Sequence, residues 1–517
     1  MSLSNALFAQ QGDLDNTFGT LGTVTTSVAN AVVSGKALAL QADGKILVAA
    51  DLSSDGVRFK FALIRYTTSG SIDSTFGTNG LAMAAIDSFN DMANALAIQP
   101  GGQIIVAGFS SDSLDIDHFA LVRFTQSGVL DTTFGTQGIT RSNFGNVYAI
   151  CNSIAIQPNG RIIAAGSATN DSTTQVAVAR YTLNGILDST FNGTGLVTTV
   201  VDSSDDEGYA VAIQPDGKLV VAGAAYNNDS SNYDFAVVRY DSTGVPDASF
   251  GNNGSVTTNL LGSGNFAYGV ALQNNGQIVA AGRTFNSNTN AYMFGLVRYN
   301  SNGTLDNTFG AGGIDTTTIG GYDDEGQAVA IQPADGKIVV AGFADVNNTA
   351  YNFAVVRYNT NGSLDTTSNG GNGKVTTPVD STSSGEAVAI QPDGKIVVAG
   401  YSQDTATLYY SVGVARYLTN LTLGIVDLAT ANNSVFLYPN PLQNEAVLDY
   451  TLVSNEAISM YVYDVTGKLI QTVLTNETLS KGEHQQIINM RSLPAGIYFL
   501  TLANNNSQSI YIKIIKQ

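Results

Sequence analysis

Residues 209–223 read YAVAIQPDGKLVVAG and residues 235–240 read FAVVRY. The first stretch is two short apolar runs hinged on Asp216-Gly217. That dipeptide is the signal of a two-residue type I′ turn, which makes the pair a β-hairpin. FAVVRY is a third run of β-branched and aromatic residues, and VTT at 197–199 is a fourth. None has a helical 3.6-residue period, and Gly, Pro, Asn and Asp clusters separate them. Four such strands predict one antiparallel sheet.

The unit recurs. The acidic residue of LDxTFGxxG falls at Asp15, Asp73, Asp131, Asp188, Asp247, Asp306 and Asp365, at spacings of 58, 58, 57, 59, 59 and 59. Between these anchors run the QPDGK hairpins, from Gln41 to Gln391, and the VRY strands, from Arg65 to Arg416. Sheets apolar on both faces must stack on neighbours, and radial stacking of about 4 to 8 four-stranded sheets is a propeller. The sequence enters on a lone strand near Gly22–Val28, and none follows Arg416. The entering strand is therefore predicted to complete the seventh blade, leaving no free edge. The fold class is all-β: a seven-bladed β-propeller over 12–418, a linker at 419–433 and a second domain over 434–517. Residues 1–11 (MSLSNALFAQQ) are expected to be a signal-peptide remnant or an unstructured terminus.

The second domain has about seven strand-like runs in about 80 residues, including AVLDYTL, GIYFLTL and SIYIKIIKQ, which predicts an Ig-like sandwich. The composition agrees with short strands and tight turns: 54 glycines, no tryptophan, and 13% charged residues against a usual 25% or so. A net charge of −19 disfavours nucleic acid and anionic membranes as partners. No apolar run reaches the roughly 18 residues of a membrane span, and the chain is expected to be a monomer. The lone Cys151, set in YAICNSIAI, is expected to be a buried, inert thiol.

The LDxTFG, QPDGK and VRY series resembles the delta-60 repeat family, which implies a propeller and little about activity. Pro246, Ser368, Gln103 and Gln277 depart from its pattern. The tail is similar to the C-terminal sorting domain of the type IX (Por) secretion system of Bacteroidetes. The residues carrying that likeness are Tyr438, Pro439, Asn440 and Pro441, then Asp464 and Gly467, then Leu493, Pro494, Gly496 and Tyr498. The resemblance implies export across both envelope membranes, the secretion and sorting machinery as partner, and a secreted or surface location.

Chemistry is sparse. With two histidines, Ser-His-Asp and Cys-His centres are disfavoured. His118 occupies a position that varies between repeats and is expected to face solvent; His484 lies in the tail. The repeated Asp and Arg are expected to be structural, the Asp fixing a turn and the Arg bracing blades. The QPDGK hairpins and LDxTFG turns share one nearly uniform face, so binding is expected on the other, variable face. Three sets of residues stand out there. Asp202, Asp205, Asp206 and Glu207, with Asp323, Asp324 and Glu325 two blades on and an echo at Asp87 and Asp91, can hold Ca²⁺ through oxygen ligands; lacking DxDxDG spacing, they read more simply as solvated loop charge. Apart from such Ca²⁺, no cofactor is expected. Tyr226, Tyr233, Tyr292 and Tyr351 are placed in Asn-rich loops as a sugar- or protein-contact surface. Glu207 and Glu325 are the candidate acid–base pair of a polysaccharide-cleaving glycosidase or lyase. The expected function is a non-catalytic binding or adhesion module for a glycan or protein; the alternatives are that enzyme and a purely structural surface protein.

Overall fold

The computed structural model describes residues 13–419 and 436–517, apart from 88–89, 146–147, 171–172, 203–204, 347, 349, 369–370, 405–408, 453–454, 465–468 and 505–508. The segment 1–11, nearly all of the linker and Gly467 lie outside the described residues. No α-helix forms among the described residues. The chain divides into two compact units, Met1–Asn420 and Leu421–Gln517.

The first unit holds seven four-stranded sheets. Blade 4 is representative: Asp206–Ile213 innermost, then Leu219–Asn227, Asn232–Tyr240 and, outermost, Ser255–Thr258, all antiparallel. The innermost strands of blades 1, 2 and 3 are Val32–Leu40, Asp91–Ile98 and Tyr148–Ile156. Those of blades 5, 6 and 7 are Ser263–Leu272, Asp324–Ile331 and Thr382–Ile390. The lone strand Thr23–Thr26 pairs with Tyr410–Tyr417 and completes blade 7, so the predicted closure is what the chain does.

Each blade boundary has its own apolar core. At the closing boundary Val33, Ile46 and Val48 of blade 1 pack with Val397, Ala399, Val412 and Val414 of blade 7. Burying a Val or Ile side chain contributes about 1.5–3 kcal/mol, so each boundary is held mainly by such contacts. The repeated polar residues lock the stack. In every blade the VRY arginine is paired with the LDxTFG aspartate, at 2.9 Å for Arg65–Asp73 and 2.5 Å for Arg357–Asp365. Six of these guanidinium groups also lie 4.5–4.8 Å from the ring of the TFG phenylalanine. They reach the next blade as well: Arg123 donates to the Leu183 carbonyl at 2.8 Å and Arg180 to that of Ser242 at 2.6 Å. The expected bracing role holds. Where Ser368 replaces the phenylalanine, Arg357 turns instead to Asp335 at 2.8 Å. Asp335 belongs to QPADGK, a hairpin one residue longer than its counterparts.

Every innermost strand has a β-bulge at one fixed place, five residues before its QPDGK glutamine. The bulge presses the strand backbone onto its neighbour. A Cβ on Gly223 would fall 1.7 Å from the Glu207 carbonyl oxygen, and on Gly282 or Gly342 1.8 Å from those of Phe266 or Glu325. The glycine of VVAG is the sequence's answer to that crowding.

The second unit is a sandwich of a three-stranded sheet and a four-stranded sheet. Leu448, Tyr450 and Leu452 of one sheet meet Met460, Val462, Leu500 and Leu502 of the other in its core. Burial alternates along Glu445–Leu452, as a sheet with one face inward requires.

Candidate functional site

The seven residues raised by the bulges are Lys36, Asn94, Asn152, Tyr209, Tyr268, Gln327 and Glu386, all half-buried. They sit on the strands nearest the ring axis and meet their neighbours around it. Asn94 donates to the Cys151 carbonyl at 3.0 Å, and Asn152 to that of Gly208 at 2.9 Å. Tyr209 and Tyr268 touch at a centroid distance of 5.0 Å, and the Lys36 ammonium lies 5.8 Å from the Tyr401 ring. Blades 2 and 3 therefore spend their bulge residues on backbone carbonyls, whereas blades 4 and 5 present tyrosine rings, blade 6 an amide and blade 7 a carboxylate.

On that wall the rings are continuous. Tyr226 and Tyr233, cross-strand partners in blade 4, lie 5.2 Å apart. Tyr233 lies 4.9 Å from Phe266 of blade 5, and Phe266 is parallel to Tyr268 at 6.0 Å. The Arg283 guanidinium rests 4.8 Å from Phe266 and 4.4 Å from Tyr292. Its Nη1 donates to Glu325 of blade 6, and among the described residues its buried Nε has no hydrogen-bond partner. Tyr209 donates its hydroxyl to Glu207, Gln327 donates to Glu325 at 3.4 Å, and Ser384 donates to Glu386 at 2.6 Å. Burial, then the nearby Glu207 charge, pushes the Tyr209 hydroxyl far up. Burial also holds the Glu325 carboxyl above the usual carboxylate range, against the pull of Arg283.

The structure redistributes the residues singled out from sequence. Asp206, Glu207, Asp324 and Glu325 open innermost strands and do not sit in loops. Successive strand residues face opposite ways, so Asp206 and Asp324 turn inward and accept from the backbone N–H of Val201 at 2.7 Å and Ile319 at 2.6 Å. Asp91 does the same for Ile86 at 2.8 Å. These carboxylates clamp the crossover from the preceding blade. Asp205 and Asp323 accept from the N–H groups of Thr174 and Tyr292. Asp87 pairs with Arg141 at 2.9 Å, and Asp202 is exposed beside an open groove it shares with Asn252 and Tyr299. Among the described residues no three His, Cys, Asp or Glu converge as a metal would need.

The four tyrosines are likewise in strands, because the middle hairpins of these blades run on through Asn-rich sequence that reads as loop. Tyr226, Tyr233 and Tyr292 join the aromatic wall; Tyr351 pairs with Phe343 at 4.8 Å. His118 is half-buried, with Nε2 3.2 Å from Asp112 Oδ2, and its counterparts Asp234, Met293 and Ser411 are buried. The position is not uniformly solvent-facing: it is exposed at Lys60 and buried at Asp234, Met293 and Ser411. Cys151 is fully buried, its thiol pushed up to about 12 by burial. His484 packs against Tyr450 at 5.4 Å. The residues missed from sequence are Tyr209, Phe266, Tyr268, Arg283, Gln327, Glu386 and Lys36. Five of them had a signal: the position five before each glutamine reads Lys, Asn, Asn, Tyr, Tyr, Gln, Glu, polar and changing between small neighbours.

In the second unit the motif residues serve the sandwich. Asn440 accepts from the Ile515 N–H at 2.9 Å, and Leu442 exchanges backbone bonds with Ile515 and Gln517 at 2.8 and 2.9 Å. Tyr438 donates to Asp449 at 2.8 Å, and the hydroxyl of buried Tyr498 to the Pro494 carbonyl at 3.0 Å. Leu493 packs on the core, and Gly496 opens the strand Gly496–Asn504.

Two family models match. One, "Secretion system C-terminal sorting domain", covers residues 436–517. The other, "Domain of unknown function (DUF5122) beta-propeller", matches seven times, at 41–76, 99–134, 157–191, 214–250, 273–309, 334–367 and 391–423. No curated protein matches the chain. Among solved structures, a catalytically inactive virginiamycin B lyase from Staphylococcus aureus is similar at 12% identity and TM-score 0.42, covering 77% of this chain and 99% of that one. A polysaccharide lyase is similar at 10% and 0.43, covering 80% and 94%. An α-L-arabinofuranosidase from Fusarium graminearum is similar at 8% and 0.38, covering 79% and 97%. The chain thus belongs to the DUF5122 β-propellers and ends in a type IX sorting domain, which takes it to the cell surface or beyond.

Proposed function

We propose that the propeller is an extracellular binding module for a glycan chain, held on the aromatic wall of blades 4 and 5. The observation that carries this reading is the run of rings from Tyr226 through Tyr233 and Phe266 to Tyr209 and Tyr268, ending among Glu207, Glu325 and Gln327. Aromatic faces accept the apolar faces of sugar rings, while carboxylates and amides bond their hydroxyls. An enzyme using Glu207 and Glu325 draws support from the raised Glu325 carboxyl. Against it, both carboxylates are engaged within the protein, Glu325 by Arg283 and Glu207 by Tyr209.

The test is titration of the purified full chain with polysaccharides, in Ca²⁺ and again in chelator, with assays for new reducing ends and unsaturated products. Saturable binding without product supports the module. Tyr268→Ala should then weaken it about 30-fold, the loss of one anchor worth about 2 kcal/mol. Product formation would install the enzyme, and binding lost on chelation would return attention to the acidic residues. No binding to any glycan would overturn this reading.

A further inference from the structure

The aromatic wall contains one cation, Arg283, and the way that cation is held decides what kind of sugar the wall accepts. Its guanidinium is pressed between Phe266 and Tyr292, with Tyr268 at 5.9 Å. A planar fork in an aromatic cage is the usual means of reading a carboxylate or sulfate. Here the fork already holds a carboxylate of the protein's own, Glu325 of the next blade. The other charges around the cage are Glu207, bound to Tyr209, Glu386 on the next inner strand and Asp323 at the Tyr292 N–H. Another cation on the inner strands, Lys36, lies at the blade 1–blade 7 boundary over Tyr401. The excess is acidic. Of the five N–H donors of Arg283, Nη1 bonds Glu325 and Nε is buried without a partner among the described residues. With its charge already answered by Glu325 and the surround acidic, the remaining N–H groups suit neutral hydroxyl oxygens better than an incoming anion.

Resting on the glycan reading above, we infer that the wall selects uncharged sugar chains over acidic ones, and that Glu325 is the specificity-determining residue because it neutralises Arg283. Removing that charge with the shape retained should release the fork for an acidic ligand. Selectivity of this kind comes from a repulsive element in the site, not from a better attractive one.

The experiment compares neutral xylan and mixed-linkage glucan with polygalacturonate at low salt, using full-length protein. Wild type should bind a neutral polymer and leave polygalacturonate essentially free. Glu325→Gln should bind polygalacturonate about tenfold more tightly than wild type, the scale of one charge-assisted bond gained, and Arg283→Gln/Glu325→Gln should lose that gain. Wild type preferring polygalacturonate, or a folded Glu325→Gln with no gain, overturns the selectivity while glycan binding stands. No binding of wild type to either class overturns the glycan reading itself. If Glu325→Gln does not fold, the wild-type comparison still decides, since acidic preference there is fatal.

Discussion

Arg416 donates its Nε to the Asp15 carboxylate at 2.9 Å across 401 residues of sequence. The same pair lies within one hairpin turn in the other blades, eight residues apart in Arg180–Asp188. At the ring closure it joins the two ends of the repeat array. The Asp15 N–H also donates to the Arg416 carbonyl at 2.8 Å, and Arg416 reaches Thr68 of blade 1 at 2.6 Å.

Breaking that pair should open the ring. Asp15→Ala leaves the Arg416 guanidinium buried beside Phe18 without its counter-charge, which costs about 3–5 kcal/mol. Asp188→Ala removes an equivalent pair without touching closure. Chemical denaturation should give similar losses for both, but only the Asp15 variant should release residues 13–26 to a protease in the native state. Equal resistance of that segment in both variants would mean that the Thr23–Thr26 strand closes the ring unaided.

Stability should peak in mildly acidic solution. The ring aspartates have folded pKa values below the unfolded one. In Asp15, burial is outweighed by the Thr17 bonds and Arg416, which bring it to about 2. Their contribution is present above about pH 4 and is lost as pH falls toward 2. Six other aspartates run the opposite way: burial raises Asp91 and Asp117, and pushes Asp51 up to about 7 and Asp206, Asp315 and Asp324 to about 6. A raised carboxyl binds its proton more tightly in the folded state, so its contribution is complete below about pH 4 and declines as pH rises through 6 to 7. Melting temperatures measured from pH 2 to 9 should therefore pass through a maximum near pH 4 to 5. Asp51→Asn should melt higher than wild type at pH 8, with the gap closing by pH 5. A melting temperature rising steadily to pH 8 would contradict the assignment.

The glycines behind the wall tie stability to binding. Gly223→Ala forces the Glu207 carbonyl away, since the added Cβ would lie 1.7 Å from it. Overpacking of this kind costs about 1–3 kcal/mol, and relief requires flattening the bulge that presents Tyr209. The variant should lose glycan affinity out of proportion to its stability. Gly166→Ala, behind the Ile150 carbonyl of blade 3, should cost similar stability and leave affinity intact. Equal affinity losses in the two would place the binding wall elsewhere.

The fold was legible because each repeat states its own strands and turns. The Asp-Gly hairpin, the period of 57 to 59 and the unpaired entering strand are local signals that seven copies reinforce. The site was legible only in part. Tyr226, Tyr233, Glu207 and Glu325 stood out as residues that differ between repeats, but they were assigned to loops because Asn-rich and Asp-rich ends of strands look like turns. Tyr209 and Tyr268 were hidden inside AVAIQ-type strands, where a bulge reverses the pleat and turns a core position toward the ring axis. A bulge depends on backbone packing against the VVAG glycine, which alternation alone does not reveal. Arg283 escaped for another reason: its partner Glu325 lies 42 residues away on the next blade, and no local pattern joins them.

The sorting domain offers a test independent of any ligand. Its motif residues Asn440 and Tyr498 act on the sandwich itself, Asn440 through the N–H of Ile515 in the last strand and Tyr498 through the Pro494 carbonyl and the core. Tyr498→Phe removes one hydrogen bond from a buried ring and should cost about 1 kcal/mol, leaving export near wild type. Deleting residues 514–517 removes the buried Ile514 together with the backbone bonds between Ile515, Gln517 and Leu442. That loss should unfold the sandwich and hold the protein inside the cell, while the propeller of the retained chain, whose closure ends at Tyr417, keeps its own melting transition. Fractionation and calorimetry read the two effects separately. Export of the truncated chain at wild-type level would show that the folded sandwich is not what the secretion machinery recognises.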